Sequence, residues 1–250
     1  EVIRINISLI NNTLEWLKQS RVKKVLFTSS SECYAGTTEA FSYPVPTDEK
    51  VPLAIQDISH PRFTYAVTKM LGESAFLNYA RKFSFDSTIV RYQNAFGPDM
   101  GFKHAVPHII ERFCAGEAPF KIYSHKQTRA FCYISDSAEG TVLAMENDKA
   151  NGEIYHIGST EEISMETLTK EIGKILEYKG KFIPADKFPG SVGRRCPDIT
   201  KARRDLGYDP KIYWKDGLKK TVEWYKEFYE SGKKILSGGF VDPENFIYKD

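Results

Sequence analysis

Apolar residues recur at helical spacing from the first turn of the chain. Ile3, Ile7, Ile10, Leu14 and Leu17 fall on one face and predict a helix over about 3–20. The apolar run Val25-Leu26-Phe27 predicts a buried strand from Lys24 to Ser29. Tyr34 to Pro61 is rich in Gly, Pro, Ser and Thr and reads as a long surface loop, a length that usually goes with function. Helical spacing returns from Tyr65 to Phe83, with Ala66, Leu71, Ala75, Phe76 and Tyr79 near one face. β-branched Thr88, Ile89 and Val90 mark a strand from Ser87 to Arg91.

The texture changes after Gly97-Pro98. Val106 to Cys114 reads as a helix with Pro107 in its first turn. A strand from Phe131 to Ile134 leads to a helix from Asp136 to Glu146, with Asp136 as its N-cap. Glu153 to Ile157 reads as a strand, and Ser164 caps a helix running to Tyr178. Asp198 caps Ile199 to Leu206, which Gly207 stops. Lys215 to Ser231 is a helix that buries Leu218, Val222, Tyr225 and Phe228, and the tail from Gly238 reads as irregular. Alternating strands and helices in the first half predict an α/β fold with a doubly wound parallel sheet.

Composition narrows the class. The 250 residues are 41% hydrophobic and 27% charged, as in an ordinary globular protein with a buried core. A net charge of +2 offers no strong field for nucleic acid or an anionic membrane. No apolar run approaches the ~18 residues of a membrane span. The N-terminus lacks a signal-peptide pattern, because Glu1 and Arg4 interrupt the apolar residues. Cys33, Cys114, Cys132 and Cys196 form no C-x-x-C pair. That spacing argues against zinc and for a reducing, cytoplasmic setting. His104 and His108 share helical spacing but have no third ligand nearby, so no metal is expected.

The candidate chemistry begins where the first strand ends, at Ser29-Ser30-Ser31-Glu32, and continues on the helix that carries Tyr65 and Lys69. Four-residue spacing puts Tyr65 and Lys69 on one face. Ligands of doubly wound sheets bind at the carboxyl ends of strands, where the serines stand. A serine hydroxyl, a phenol and an ammonium can pass a hydride between an alcohol and a nicotinamide. A free tyrosine, with a pKa of about 10, is a poor base at neutral pH. A nearby lysine cation, together with the nicotinamide cation, lowers that value. The phenolate then takes the alcohol proton as hydride leaves, and the serine supports the developing charge on oxygen. The pattern alone is cheap: Tyr229 and Lys233 match it too, without a Ser-rich strand end before them, and read as packing and a surface charge.

Five stretches carry a resemblance: F-T-S-S-S-E-C-Y-A-G, Y-A-V-T-K-M-L-G-E, V-R-Y-Q-N-A-F-G-P, T-R-A-F-C-Y-I-S-D and R-R-C-P-D-I-T-K-A. Together they resemble the extended short-chain dehydrogenase/reductases, in the NAD-dependent nucleotide-sugar epimerase, dehydratase and decarboxylase group. The resemblance implies a Rossmann-like sheet over 1–97 and a smaller C-terminal α/β substrate domain over 98–250, with parts of about 130–160 returning to the sheet. No G-x-x-G-x-x-G phosphate loop occurs, and Gly36 is the first glycine. The chain is therefore expected to begin near the family's fourth helix, with the first βαβ units upstream.

By motif match, Ser30 resembles the catalytic Ser/Thr, Tyr65 the base and Lys69 its partner on the nicotinamide ribose. Ser29 and Tyr92 are further implied at the NAD site. Ser31, Asn94, Val106, Arg129 and Arg195 are implied at a nucleotide-diphosphate sugar. Arg91 shares the R-x-x-N stretch with Asn94. An arginine fork suits paired anionic oxygens. Duller readings stand beside these: Asn94 as a turn residue, Arg129 as a surface charge, Glu32 as a solvated loop carboxylate and Cys33 as a small buried apolar residue. A homodimer through the first helix and the Tyr65 helix is also implied.

The resemblance implies transient oxidation at C4 of the sugar. The ketone acidifies neighbouring C–H bonds and makes a C6 carboxylate a β-keto acid. Epimerisation, loss of water and loss of CO2 are then all open. Ser31-Glu32 matches the S-E of decarboxylases and some dehydratases. The P-R-F-T-Y approach to Tyr65 and the position of Arg195 lean toward UDP-glucuronate decarboxylases. Ser30 in place of the usual threonine keeps 4-epimerases open. A non-catalytic binder of NAD or a sugar nucleotide is the alternative of another class.

Overall fold

The computed structural model describes residues 1–61, 63–186 and 191–231. In chain order come α1 (Val2–Leu17), β1 (Lys24–Ser30), a 3-10 turn (Ser31–Tyr34), α2 (Ala35–Ala40), α3 (Phe63–Phe83) and β2 (Asp86–Tyr92). Then follow β3 (Ala95–Phe96), α4 (Ala105–Cys114), β4 (Phe120–Tyr123), β5 (Thr128–Ala130), β6 (Cys132–Tyr133) and α5 (Ile134–Glu146). The remainder is β7 (Ile154–Ile157), β8 (Glu162–Ser164), α6 (Met165–Ile175), β9 (Phe182–Ala185), β10 (Arg194–Arg195), α7 (Thr200–Leu206) and α8 (Trp214–Glu230). The expected irregular tail from Gly238, Lys233 of the second Tyr/Lys pair and Arg62 of P-R-F-T-Y lie outside the described residues. Among the described residues no helix is long and apolar enough to cross a membrane.

The chain divides into two compact units. The first comprises Glu1–Ala95, Arg129–Glu162 and Arg194–Lys211. Its centre is a parallel sheet of order β1-β2-β7. Register runs from Lys24 opposite Asp86 to Ser30 opposite Tyr92, which aligns the carboxyl ends of the two strands. Successive side chains of a strand point to opposite faces. Ile89 accordingly packs with Ile10, Leu14, Leu17 and Phe76 from α1 and α3. Its neighbour Val90 packs with Ala144, Ala202 and Leu206 from α5 and α7. Both faces are covered, as a parallel sheet requires. Full burial of each such aliphatic side chain contributes about 1.5–3 kcal/mol.

Several expectations are corrected here. Ile3 is 54% exposed, so the inward face of α1 is Ile10, Leu14 and Leu17. Leu71, five positions from both Ala66 and Phe76, faces away from them at 44% exposure. The stretch from Tyr34 onward is a surface loop only in part. It opens with α2, and Tyr34, Ala35, Thr47 and Val51 are buried, while most of the residues from Phe41 to Pro61 are exposed or half-buried and irregular. The segment is held inward by Thr47, whose N–H donates to the Cys196 carbonyl at 2.9 Å and whose carbonyl accepts from Asp198 at 2.7 Å. Asp136 does not cap α5, which starts two residues earlier; its carboxylate is buried and accepts the Lys211 N–H at 3.1 Å. Ser164 caps α6 through the Thr167 N–H at 2.9 Å, but that helix ends at Ile175. Gly207 ends α7 in the left-handed region at φ 69°, where a Cβ would strain the backbone. Residues 194–211, read from sequence as part of the second domain, sit in the first unit.

The second unit comprises Phe96–Thr128, Ile163–Gly193 and the residues from Ile212 on. Its β4 and β9 pair in parallel, with Phe120 opposite Phe182. Neither strand is foreseen, because four residues beside prolines carry too little periodicity. Phe113 stacks on Phe120 at 3.8 Å between ring centres. Arg112 lies over the Phe120 ring at 4.4 Å and pairs with Glu117 at 2.6 Å. Leu218, Val222 and Tyr225 of α8 are buried as expected, whereas Phe228 is only half-buried.

Candidate active site

The end of β1 sorts its serines by the pleat. Ser30 is extended (φ −149°), and its hydroxyl accepts the Glu32 N–H at 3.2 Å, capping the 3-10 turn. A serine is suited to this because its short side chain reaches the first unpaired amides of a turn. The cap therefore ties the Ser30 oxygen to the backbone of Glu32.

α3 brings the second component. Tyr65 is 39% exposed, and the Ser30 hydroxyl stands close enough to its phenol to pull the phenol's pKa down. One turn later, the Lys69 ammonium lies 5.6 Å from the Tyr65 ring centre and donates to the Thr28 carbonyl at 2.8 Å. Among the described residues no carboxylate pairs with Lys69, and burial lowers its pKa. An ammonium with unused N–H groups beside a phenol is the donor set that a ribose diol accepts. The nicotinamide end of NAD thus fits the residues present.

Burial is the first influence on the Tyr65 pKa and raises it; the nearby Ser30 hydroxyl lowers it, and Cys33 and Glu32 raise it further. The Lys69 ammonium favours the phenolate but does not outweigh the burial. A bound cation is what would reverse the sign.

A second pair stands beside this group. Glu32 accepts from Arg195 Nη1 at 2.7 Å. Arg195 is only 8% exposed, and its Nη2 is buried with no hydrogen-bond partner among the described residues. Such an orphaned charged donor is costly unless a ligand or water satisfies it. Glu32 is thus no solvated loop carboxylate. The pair approaches Tyr34, which is fully buried, accepts from Gln93 Nε2 at 2.7 Å and feels the Arg195 charge.

The other candidates have the following surroundings. The Ser29 hydroxyl, expected at the cofactor, points to the opposite face and donates to Glu73 at 2.5 Å. Ser31, expected at substrate, is buried. The Tyr92 phenol, expected at the cofactor, is bonded to Thr141 at 2.5 Å on α5. Asn94 sits in the left-handed region at φ 37° and donates to the Ala130 carbonyl at 3.2 Å, which is turn work. Arg129 is 9% exposed and no surface charge. Val106 is buried in the second unit. Cys33 is buried, and burial pushes its thiol up to about 11.

Sequence reasoning passed over Glu73. Tyr65, Lys69 and Glu73 are four apart in turn and so share a face of α3. The buried Glu73 carboxylate takes Arg91 Nε at 2.9 Å and Nη2 at 2.7 Å as a fork. Arg91 Nη1 continues to the Glu49 carbonyl at 3.2 Å. With Ser29, this ties α3 to the carboxyl ends of β1 and β2. The signal was available: the acid ends the Y-A-V-T-K-M-L-G-E stretch at the spacing of the other two.

Comparison with known proteins agrees with this geometry. Residues 1–158 match the model of the NAD dependent epimerase/dehydratase family. The chain is 34% identical over 236 residues to a UDP-N-acetyl-alpha-D-glucosaminuronate decarboxylase of Bacillus cytotoxicus, covering 91% of this chain and 71% of that protein. It is 28% identical to the human dTDP-D-glucose 4,6-dehydratase, covering 87% of this chain and 60% of that one. Among solved structures it resembles the UDP-glucuronic acid 4-epimerase of Bacillus cereus, determined with UDP-glucuronic acid and NAD. That match has a TM-score of 0.78 at 27% identity and covers 90% of this chain and 68% of the other.

Proposed function

The chain belongs to the NAD dependent epimerase/dehydratase family, and from that premise we propose that it modifies a nucleotide-diphosphate sugar through transient oxidation at C4. Ser30 orients the C4 hydroxyl, Tyr65 removes its proton, and Lys69 holds the ribose and favours the phenolate. NAD, when bound, supplies the hydride acceptor. The one observation that carries this reading is the approach of the Ser30 hydroxyl to the Tyr65 phenol with the Lys69 ammonium 5.6 Å from the centre of the same ring.

For the second step we favour decarboxylation of a sugar acid. Arg195 offers a buried guanidinium whose Nη2 has no partner, a receptor for a C6 carboxylate. Glu32 holds that guanidinium by its other amine. Mass spectrometry of products from UDP-, GDP-, dTDP- and CDP-sugars tests the proposal. A UDP-hexuronate is expected to lose CO2. A product of unchanged mass but different chromatographic retention would make the enzyme a 4-epimerase, loss of water a dehydratase, and unchanged mass with unchanged retention a binder.

Glu32→Gln is expected to leave C4 oxidation intact, seen as a 340 nm absorbance rise, while final product falls by about 10²-fold or more. An unchanged product yield would remove Glu32 from the mechanism.

We further propose a homodimer. α1 leaves Ile5 and Leu9 exposed and α3 leaves Val67 and Leu71, while Asn6 bonds Thr68 at 2.8 Å to lock the two helices together. Leu9→Glu should convert the dimer to monomer in light scattering; a dimer as stable as before would discard this face. A cytoplasmic setting is supported by the four unpaired cysteines.

A further inference from the structure

The opposite end of the parallel sheet carries a cleft of about 830 Å³, within the range of small-molecule sites. It lies where β1 and β2 begin, beside Lys23, Asp86 and Ser87, with the ends of α1 and α3 as walls. Ser30 stands at the far end of β1. Seven residues at about 3.3 Å each put it ~20 Å away. The cleft is therefore outside the catalytic group.

Its charge is one-sided. Lys18, Arg21, Lys23 and Arg81 line it, against Asp86 as the single acid. Lys18 is neutralised by Glu15 at 2.6 Å. Arg81 has only a neutral partner, Asn78 at 3.3 Å. The side chains of Arg21 and Lys23 have no hydrogen-bond or ion-pair partner among the described residues. Three cations without a counter-charge form a receptor for an anion bearing several oxygens.

The remaining walls ask for more than an inorganic ion. Leu77, Phe83 and Phe85 give the cleft an apolar side suited to a flat ring. Ser87 is 1% exposed, and its hydroxyl has no partner among the described residues; the Asn151 Oδ1 is likewise buried without one among them. Both residues line the same cleft. The Asn151 amide oxygen only accepts, so it would repel a bare anion but can take an N–H or O–H from a base or a ribose, while the Ser87 hydroxyl can donate or accept. A buried acceptor left unpaired costs free energy, which a donor on a ligand would recover.

We propose that this cleft binds a nucleoside phosphate, with its phosphates on Arg21, Lys23 and Arg81 and its base against Phe85 and Leu77. Occupancy is compatible with a filled catalytic site, because the two lie at opposite ends of the strands. The site is independent of which reaction the catalytic group performs.

Calorimetric titration with ADP tests this, in the presence of saturating NAD and UDP so that other nucleotide sites are filled. One further equivalent of ADP is expected to bind. Arg21→Glu combined with Arg81→Glu should weaken it at least tenfold, as should Lys23→Glu alone, with basal turnover unchanged. Pyrophosphate alone should bind at least tenfold more weakly than ADP. Loss of the ADP signal once NAD and UDP are present would overturn the proposal, as would equal affinity in properly folded charge-reversal variants. Pyrophosphate binding as tight as ADP would overturn the nucleoside assignment.

Discussion

Tyr65→Phe is expected to lower turnover by about 10²–10⁴-fold while the affinity for sugar nucleotide stays within about twofold of wild type. The substitution removes one oxygen, the one nearest the Ser30 hydroxyl's influence, and leaves the ring in place. Binding elsewhere along the substrate is untouched, so the loss falls on kcat rather than KM. Single-turnover kinetics with parallel binding measurements check this. Wild-type turnover in the variant would leave no base in the site.

The same residue sets a pH dependence. Burial raises the Tyr65 pKa, so the free phenol is protonated at neutral pH. Its basic form grows as pH rises, so kcat/KM, which reports the free enzyme, should climb with pH through the neutral range. Lys69→Met removes a positive charge that lies 5.6 Å from the ring centre. The rising limb should then shift to higher pH. A shift to lower pH would reverse the role given to Lys69.

Glu73→Ala is expected to destabilise the protein by about 3–5 kcal/mol, because it leaves Arg91 charged and unpaired in a buried position. Arg91 and Glu73 side chains are 3% and 4% exposed, so water cannot substitute. The Ser29 hydroxyl loses its acceptor at the same time. Replacing both members, Glu73→Leu with Arg91→Met, should recover much of the loss, since removing a buried pair costs less than breaking it. Denaturant unfolding of the single and double variants measures both. A loss under about 1 kcal/mol in the single variant would mean that the pair does not anchor α3.

Elements with long periodic patterns were legible directly. α1, α3 and α8 repeat their apolar residues over several turns, and β2 has three β-branched residues in a row, so local chemistry leaves little choice. β4 and β9 were not legible, because a four-residue strand has no period to read and exists only through its partner. The stretch from Tyr34 to Pro61 was legible only in part, for a related reason. Its Gly, Pro, Ser and Thr content describes turns, but its burial depends on contacts with residues near Cys196, far along the chain.

At the site, sequence by itself determined the parts list: Ser30 at a strand end, Tyr65 and Lys69 one turn apart, and a carboxylate at Glu32. Spacing on a helix or strand is a local property, so these relations survive without knowledge of the fold. Tertiary structure decided the rest. It put Arg195 against Glu32 across 163 positions, turned Ser29 inward to Glu73, and buried the Tyr65 phenol enough to raise its pKa. Pairing, burial and desolvation arise from which distant segments meet, and that is information no single stretch of chain contains.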